Sequence, residues 1–383
     1  MKEINKIIVV PDSFKGGISS EKFCAIAKKA ICKIYPSAQV VAIPIADGGE
    51  GTVDAFLVSV GGKKVRVVVK NPFFEDMESF YGVLPDKTAV IEMAACAGLP
   101  LAKGREDPLI TTTFGVGQLI RHAFKNGCER IILAMGGSAT NDAGCGMACA
   151  LGAKFYDTDG NEFIPTGITL CKIQKIDTSG LCLGVPVTAM CDIDNPLFGE
   201  NGAAYVFAPQ KGADNEAVKL LDDGLRHFAQ IVKSELGADF DDIKGGGAAG
   251  GLGAGAVCFL NAYLQMGIDV ILDTAGFECQ LDDADLVITG EGRIDTQSLR
   301  GKAVIGVAKR AKAKKVPVIA VVGDIGDGIE DAYTLGVSGI FSINRVAVAY
   351  DRAILRSEND LLLTIENILH FIKSIAKENG NAS

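Results

Sequence analysis

The chain has 383 residues, of which 48% are hydrophobic and 22% charged, with a formal net charge of −9 at pH 7. This length favours two domains, each with its own core. The acidic balance argues against nucleic acid as a partner, because phosphate backbones require a basic surface. A small anionic ligand is compatible with the charge, since it needs only a local basic site.

The cysteines and the apolar runs predict a cytoplasmic protein. The eleven cysteines lack the paired spacing of a zinc site, and most lie in apolar runs where a free thiol acts as a small hydrophobe. Such usage suits a reducing compartment. The N-terminal sequence does not resemble a signal peptide, and no apolar run approaches the roughly 20 residues that span a bilayer. We therefore expect no membrane partner.

The first predicted strand, residues 7–10, runs into a polar loop and then into a helix over residues 21–34. Loops at the carboxyl ends of strands are where open α/β sheets bind ligands. The candidate ligand-binding side chains of this loop are Asp12, Ser13 and Lys15. The alternative is a helix-capping turn with an exposed lysine.

The second predicted strand, residues 40–45, ends in the glycine-rich loop 46–52, which contains Asp47 and Glu50. Ionised carboxylates offer only hydrogen-bond acceptors. These two side chains therefore suit a metal ion or the hydroxyls of a substrate. A solvated turn is the alternative interpretation.

The pattern of elements changes near residues 61–71, where strand–helix alternation gives way to strand–strand pairing around a turn at 85–88. Regular α/β alternation returns from residue 270. We therefore predict a doubly wound, Rossmann-like or flavodoxin-like α/β domain formed by residues 1–70 and 281–383. A second α/β domain, residues 71–280, is inserted in it, and the active site is expected in the cleft between the two.

A loop of small and polar residues at 136–144 follows the apolar run 131–135 and precedes a helix of small residues. Strand, loop and helix in this order direct backbone N–H groups at an anion. The candidate phosphate-binding residues are Gly136, Gly137, Ser138, Thr140 and Asn141. An ordinary turn with a capped helix is the alternative.

The most glycine-dense stretch, residues 245–255, runs directly into an apolar helix at 256–266. A flexible linker would be more polar. We therefore predict a backbone cradle for the nucleotide or the transferring phosphate, formed around Gly250, Gly251 and Gly253. A side chain added to such a glycine should obstruct close approach of the ligand.

The reaction class follows from the motifs that are present and those that are missing. The chain has no Walker A run and no G-x-G-x-x-G after a strand, and its three histidines all lie in predicted helices. Carboxylates at strand ends, basic residues among glycines, and glycine-rich loops are the set that phosphoryl transfer needs. The alternatives are a hydroxy-acid dehydrogenase, which lacks its dinucleotide fingerprint, and a non-catalytic protein that binds a small acid.

Seven motifs, in order and through almost the whole chain, resemble those of the bacterial class I glycerate kinases. They are PDSFKG at 11–16, ADGGEGT at 46–52, GGSATNDAG at 136–144, CDIDNPL at 191–197, FAPQKGA at 207–213, GGAAGGLGAG at 246–255 and ITGEGRIDTQSLRGK at 288–302. Gly17 and Ala143 are small-for-small departures from the motifs. The resemblance implies phosphorylation of D-glycerate by ATP with Mg²⁺, usually to 2-phosphoglycerate. The sequence leaves open which hydroxyl is phosphorylated, and whether the protein is a monomer or a homodimer.

For this chemistry we assign roles on physical grounds. Asp192, at the end of the predicted strand 187–191, is either the base for the acceptor hydroxyl or a Mg²⁺ ligand, unless it only caps a turn. Arg293 can bind the acceptor carboxylate with two parallel hydrogen bonds, unless an ion pair with Glu291 or Asp295 only fixes its loop. The remaining assignments are Lys15 for the transferring phosphate, Asp12, Ser13, Asp47 and Glu50 for the substrate, Lys302 as the next candidate for its carboxylate, and Glu291 as a second Mg²⁺ ligand.

Overall fold

The computed structural model describes residues 4–14, 16–181, 184–240, 243–296, 298–301 and 303–380. The strands are β1 (Lys6–Pro11), β2 (Gln39–Ala42), β3 (Lys63–Lys70), β4 (Asp76–Val83), β5 (Thr88–Glu92), β6 (Arg130–Ala134), β7 (Lys154–Tyr156), β8 (Glu162–Phe163), β9 (Lys175–Asp177), β10 (Val187–Met190), β11 (Tyr263–Gln265), β12 (Leu286–Gly290), β13 (Arg293–Ile294), β14 (Val318–Val322), β15 (Asp324–Ile325) and β16 (Val337–Ser342). The helices are α1 (Ser20–Ile34), α2 (Thr52–Val60), α3 (Ala94–Ala97), α4 (Phe114–Lys125), α5 (Cys145–Leu151), α6 (Ala203–Phe207), α7 (Asn215–Leu236), α8 (Ala248–Leu260), α9 (Gly267–Thr274), α10 (Phe277–Leu281), α11 (Ala303–Ala313), α12 (Asp331–Thr334) and α13 (Tyr350–Gly380). Short 3-10 turns occur at Leu99–Ala102, Gly167–Lys172, Pro209–Lys211 and Ser298–Arg300.

The first compact unit consists of residues 1–46, 58–60 and 268–383. Its five-stranded sheet is parallel throughout, in the order β2-β1-β12-β14-β16. Counted among the five strands of this sheet alone, the order is 2-1-3-4-5, which is that of flavodoxin-like doubly wound folds. The expected α/β class is therefore confirmed.

The three inner strands of this sheet are buried because helices pack on them. β1, β12 and β14 are buried at every residue, as expected for parallel strands covered on both faces. Ile7 and Val9 share a core with residues of α1 and α13, and α11 packs against the same strands. α1 begins after Ser19, whose side chain accepts a hydrogen bond from the Lys22 N–H at 3.2 Å and so caps the helix.

The second compact unit consists of residues 47–57 and 61–267. Its main sheet has six strands in the order β3-β4-β5-β6-β10-β11. β3 and β4 form an antiparallel pair and β4 is antiparallel to β5, whereas β5, β6, β10 and β11 are parallel to one another. The carboxyl ends of the four parallel strands therefore lie along one edge of this sheet.

The boundaries of the two units differ from the predicted ones at 70/71 and 280/281. Strand β3 pairs with β4 over all eight of its residues, from Lys63 opposite Val83 to Lys70 opposite Asp76, and so belongs to the second unit. Residues 268–280 belong to the first unit, because Arg310 on α11 donates hydrogen bonds to carboxylates of α9 and α10. Pairing partners distant in sequence decide both boundaries.

Within the described parts of the chain, no helix is sufficiently long and apolar to cross a bilayer.

Candidate active site

In the second unit, three neighbouring strands end side by side, and polar residues lie at or after these ends. Glu92 at the end of β5 and Met190 at the end of β10 both pair with Ala134, the last residue of β6. The loops that follow these strands therefore start next to one another. The 136–144 loop leaves from the central strand, and Asp192 follows its neighbour β10.

The loop at residues 46–52 contacts the loop that follows β6. The Gly136 N–H donates to the Gly48 carbonyl at 2.8 Å. A side chain at Gly136 has no room, because its Cβ would lie 2.6 Å from the Gly49 nitrogen. Two loops that were predicted separately are thus joined, and the exposed Asp47 and Glu50 lie on one of them.

A buried carboxylate holds the 46–52 loop in place. Glu92 is 3% exposed, and its two oxygens accept hydrogen bonds from the N–H groups of Gly51 at 3.2 Å and Val53 at 3.1 Å. Burial raises the pKa of Glu92, and these two hydrogen bonds act against that shift. Glu92 therefore anchors the N-terminus of α2 to the end of β5.

The 136–144 loop carries a second buried carboxylate. Asp142 accepts hydrogen bonds from the Thr113 N–H at 2.7 Å and hydroxyl at 2.9 Å, and from the N–H groups of Gly144 and Gly146, each at 3.2 Å. Burial raises the pKa of Asp142 above its ordinary value, and the same hydrogen bonds offset part of that rise. This network fixes the shape of the loop between β6 and α5.

A lysine is buried beneath the same loop. Lys211, at the end of the 3-10 turn Pro209–Lys211, is 2% exposed. Its Nζ donates to the Ser138 Oγ at 2.8 Å and to the Thr140 carbonyl at 2.7 Å. Burial lowers the pKa of Lys211 to about 7, while the negative charge of Asp142 acts in the opposite direction.

Two side chains of this loop have polar atoms that fit a ligand. Thr140 and Asn141 are fully buried. The Thr140 hydroxyl and both polar atoms of the Asn141 amide have no hydrogen-bond partner among the residues described. Buried polar groups are normally satisfied. These atoms can therefore bond to an ordered water or to a bound group.

The glycines of the 245–255 stretch pack against the chain itself. A Cβ at Gly250 would lie 2.0 Å from the Thr140 carbonyl oxygen, and one at Gly253 would lie 2.3 Å from the Gly245 carbonyl oxygen. Gly250 also accepts a hydrogen bond from the Ala143 N–H at 3.0 Å. Ala249, Gly250 and Gly251 are left-handed, which interrupts the start of α8. Gly250 and Gly251 thus pack against the 136–144 loop, Gly253 packs against Gly245, and a ligand cradle is not needed to explain these glycines.

Asp192 lies just after β10 and is exposed. Its Oδ1 accepts a hydrogen bond from the Gly267 N–H at 2.7 Å, where α9 begins. This bond orients the carboxylate at the end of β10.

The first unit has its own group of predicted residues, at the point where its strand order reverses. The carboxyl ends of β1 and β12 are in register, with Pro11 opposite Gly290, and the Asp12 N–H donates to the Gly290 carbonyl at 2.7 Å. Ser13 donates its N–H to the Asp12 Oδ1 at 2.6 Å. In open α/β sheets this crevice is where ligands bind.

Arg293 follows β12 and is exposed, with 62% of its side chain accessible. Its Nε lies 3.8 Å from the Asp324 Oδ2 and 4.0 Å from the Asp295 Oδ2, which is longer than a hydrogen bond. Exposed ion pairs of this kind contribute little to stability. The guanidinium is therefore available for a carboxylate. The predicted residues Lys15 and Lys302 lie outside the described residues.

The predicted Mg²⁺ ligands are single carboxylates. No group of three or more His, Cys, Asp or Glu side chains converges anywhere in the described ranges. Mg²⁺ that arrives with a nucleotide commonly takes one or two protein carboxylates, with phosphate oxygens and water completing the shell. Asp192, and separately the buried Glu291, fit that pattern.

Comparison with known families assigns the chain. The model of the glycerate kinase family matches residues 7–373. The chain belongs to the glycerate kinase family. It is accordingly an enzyme, a phosphotransferase with an alcohol group as the acceptor.

Relatives support this membership over nearly their whole length. The chain is 43% identical to the glycerate kinase of Bacillus subtilis over 373 residues, covering 96% of the chain and 98% of the relative. It is 41% identical to the glycerate 2-kinase of Escherichia coli over 371 residues, covering 95% and 97%. A crystal structure of a provisionally named glycerate kinase 2 from Salmonella typhimurium LT2 matches with a TM-score of 0.87 and 40% identity, covering 98% of this chain and all of that one.

In this member of the glycerate kinase family, sequence reasoning missed Glu92 and Lys211 as site residues, and it identified Asp142 only as a residue that can cap a helix or hold a ligand. Each is a charged side chain whose importance lies in its burial, which no local pattern states. A weak signal existed, because each stands among small or apolar residues: AVIEMAA around Glu92, SATNDAGC around Asp142 and FAPQKGA around Lys211. A lone charge in such surroundings is a candidate for a buried, paired group.

Proposed function

We propose that the chain phosphorylates the 2-hydroxyl of D-glycerate with ATP and Mg²⁺, giving 2-phosphoglycerate. The observation that carries the donor side is the buried polar loop after β6, with its N–H groups, Ser138, and the Lys211 ammonium behind it. The Escherichia coli relative carries the name glycerate 2-kinase, which favours the 2-hydroxyl. We also propose that the enzyme works in the cytoplasm, as a monomer or a homodimer.

On the donor side, the ATP phosphates would contact the loop formed by Gly136, Gly137, Ser138, Thr140 and Asn141. Gly250 and Gly251 would act indirectly, because they pack against this loop, and Gly253 would act through its contact with Gly245 in the same glycine-rich stretch. Asp192 and Glu291 are the candidates to hold Mg²⁺, which when bound neutralises charge on the donor phosphates.

On the acceptor side, Arg293 would bind the glycerate carboxylate, since its planar fork suits two parallel hydrogen bonds. Asp47 and Glu50 would accept hydrogen bonds from the hydroxyls, with Asp12 and Ser13 as further contacts. Asp192 is the candidate to take the proton of the reacting hydroxyl, and the alternative role for it is the Mg²⁺ ligand named above. Lys15 would serve the transferring phosphate, and Lys302 is the second candidate for the carboxylate.

The decisive experiment is to incubate the purified protein with ATP, Mg²⁺ and D-glycerate and to identify the product by phosphorus NMR. We expect 2-phosphoglycerate and ADP in equal amounts. A 3-phosphoglycerate product would refute the assigned hydroxyl. NADH formation from NAD⁺ and glycerate without any phosphorylated product would favour the dehydrogenase, and ligand binding without turnover would favour the binding protein.

Asp192→Asn keeps the shape of the side chain and removes its charge. Loss of a general base or of a metal ligand should slow turnover by about 10²–10⁴. An unchanged melting temperature would show that the fold is intact, and a Mg²⁺ titration separates the two roles, since only loss of a ligand raises the Mg²⁺ requirement. Turnover within about threefold of the unsubstituted enzyme would remove Asp192 from the mechanism.

A further inference from the structure

The burial of Lys211 requires an explanation beyond packing. A lysine normally covers apolar surface with its stem and keeps its ammonium in water. Here the ammonium is enclosed and has two oxygen partners, the Ser138 hydroxyl and the Thr140 carbonyl, at 2.8 and 2.7 Å. Both partners belong to the loop that follows β6, so the side chain joins the turn Pro209–Lys211 to that loop.

The hydrogen-bond directions determine what Ser138 can do. An ammonium only donates, so the Ser138 oxygen is the acceptor in its contact with Lys211. The hydroxyl hydrogen of Ser138 is then left to donate to another group. A positive charge also lies directly behind this part of the loop, and the low dielectric of a buried site strengthens its effect on an anion.

We infer that Lys211 is a positioning residue for the phosphoryl donor: its ammonium orients the Ser138 hydroxyl and holds the loop at residues 136–141 in the conformation that accepts a phosphate group. This inference rests on the proposed function, because it takes the donor phosphate to bind at this loop. Neither the predicted catalytic set nor the resemblance assigned Lys211 a role.

The protonation of Lys211 gives the inference a distinctive signature. With a pKa of about 7, the ammonium is largely charged at pH 6 and largely neutral at pH 8.5 in the free enzyme. The charged group that acts on it is Asp142, on the loop itself. Glu106, whose backbone lies against Gly212, is exposed and directs its carboxylate to the Gly104 N–H at 2.9 Å. Anion binding requires the charged form of Lys211, so affinity for ATP should fall as the pH rises through 7.

The test uses Lys211→Met, which keeps the length of the side chain and removes its charge and donors. The matched control is Lys219→Met, the same change at an exposed position of α7. Calorimetry measures the dissociation constant of ATP with Mg²⁺ from pH 6 to 9, without glycerate. For Lys211→Met we expect at least a roughly tenfold weaker affinity at pH 6, as for a lost charged hydrogen bond. The pH dependence should be flatter than in the unsubstituted enzyme and in Lys219→Met.

The experiments distinguish a failure of the proposed function from a failure of the inference about Lys211. If the unsubstituted enzyme does not phosphorylate glycerate, the proposed acceptor is wrong, whereas the calorimetric comparison still tests Lys211. If Lys211→Met binds ATP within about threefold of the unsubstituted enzyme, or retains its pH dependence, the inference is overturned. If Lys211→Met does not fold, Ser138→Ala replaces it, since it retains the lysine with its Thr140 partner and removes the oriented hydroxyl. Unchanged ATP affinity in Ser138→Ala would overturn the inference as well.

Discussion

Two glycine-rich segments of the second unit look alike in sequence and differ in what their glycines do. In the stretch at 245–255, a Cβ at Gly250 or Gly253 would lie within 2.3 Å of a backbone oxygen. In the 136–144 loop, Gly137 has a φ of +71°, and its Cβ would meet nothing nearer than the Ala94 Cβ at 3.6 Å. Gly250 and Gly253 are needed because the chain packs on itself, as it also does at Gly136, whereas Gly137 leaves space beside the loop.

The contrast teaches how a glycine-rich motif should be interpreted. Both segments predict a phosphate cradle when only the sequence is considered. The structure separates glycines that permit backbone contact within the protein from one that borders open space. Only Gly137 can be tested directly as a ligand contact, because a substitution at one of the packed glycines would disturb the fold first.

The largest effect is expected for Gly250→Ala. The new methyl would overlap the Thr140 carbonyl oxygen, and alanine is strained at the left-handed φ of +68°. We expect the free energy of unfolding to fall by about 3 kcal/mol or more. Chemical denaturation measures this value. A loss below about 1 kcal/mol would show that the stretch at 245–255 is loosely packed, and the difference from Gly137 would then disappear.

A smaller effect on stability is expected for Gly137→Ala. The free energy of unfolding should fall by about 1 kcal/mol through backbone strain alone, since no atom obstructs the methyl. The KM for ATP should nevertheless rise several-fold, because the methyl occupies the space beside the proposed phosphate loop. The control is Gly160→Ala at the tip of the β7–β8 hairpin, where φ is +79° and nothing lies within 4 Å of a Cβ. Equal ATP kinetics in the two variants would mean that the space beside Gly137 does not receive the nucleotide.

The sequence predicted the α/β class because buried parallel strands are near-continuous apolar runs, such as β1 and β14. The predicted domain boundaries differ from those of the two compact units. The reason is that β3 pairs with β4 and residues of α9 bond to α11, and a local sequence pattern does not reveal such partners. Local patterns therefore identified the elements better than their assignment to units.

In the candidate site, too, some residues can be predicted from local patterns and others cannot. Residues after strands, such as Asp192 and the 136–144 loop, follow from the rule that ligands bind at the carboxyl ends of parallel strands. Lys211 and Glu92 do not follow from it, because their roles depend on burial and on partners 73 and 41 residues away. Hydrogen bonds over such separations can be described only once the fold is known.

The central position of β1 has a consequence for the synthesis of the protein. One neighbour, β2, follows soon after it, but the other, β12, is synthesised much later; the Thr289 hydroxyl donates to the Val10 carbonyl across 279 residues. At ribosomal rates of about 5–20 residues per second, β1 waits roughly 15–55 s for that neighbour. All of residues 61–267 emerge during this interval. The nascent chain must therefore keep a strand with four consecutive apolar residues, Ile7 to Val10, from pairing wrongly while the other unit is completed.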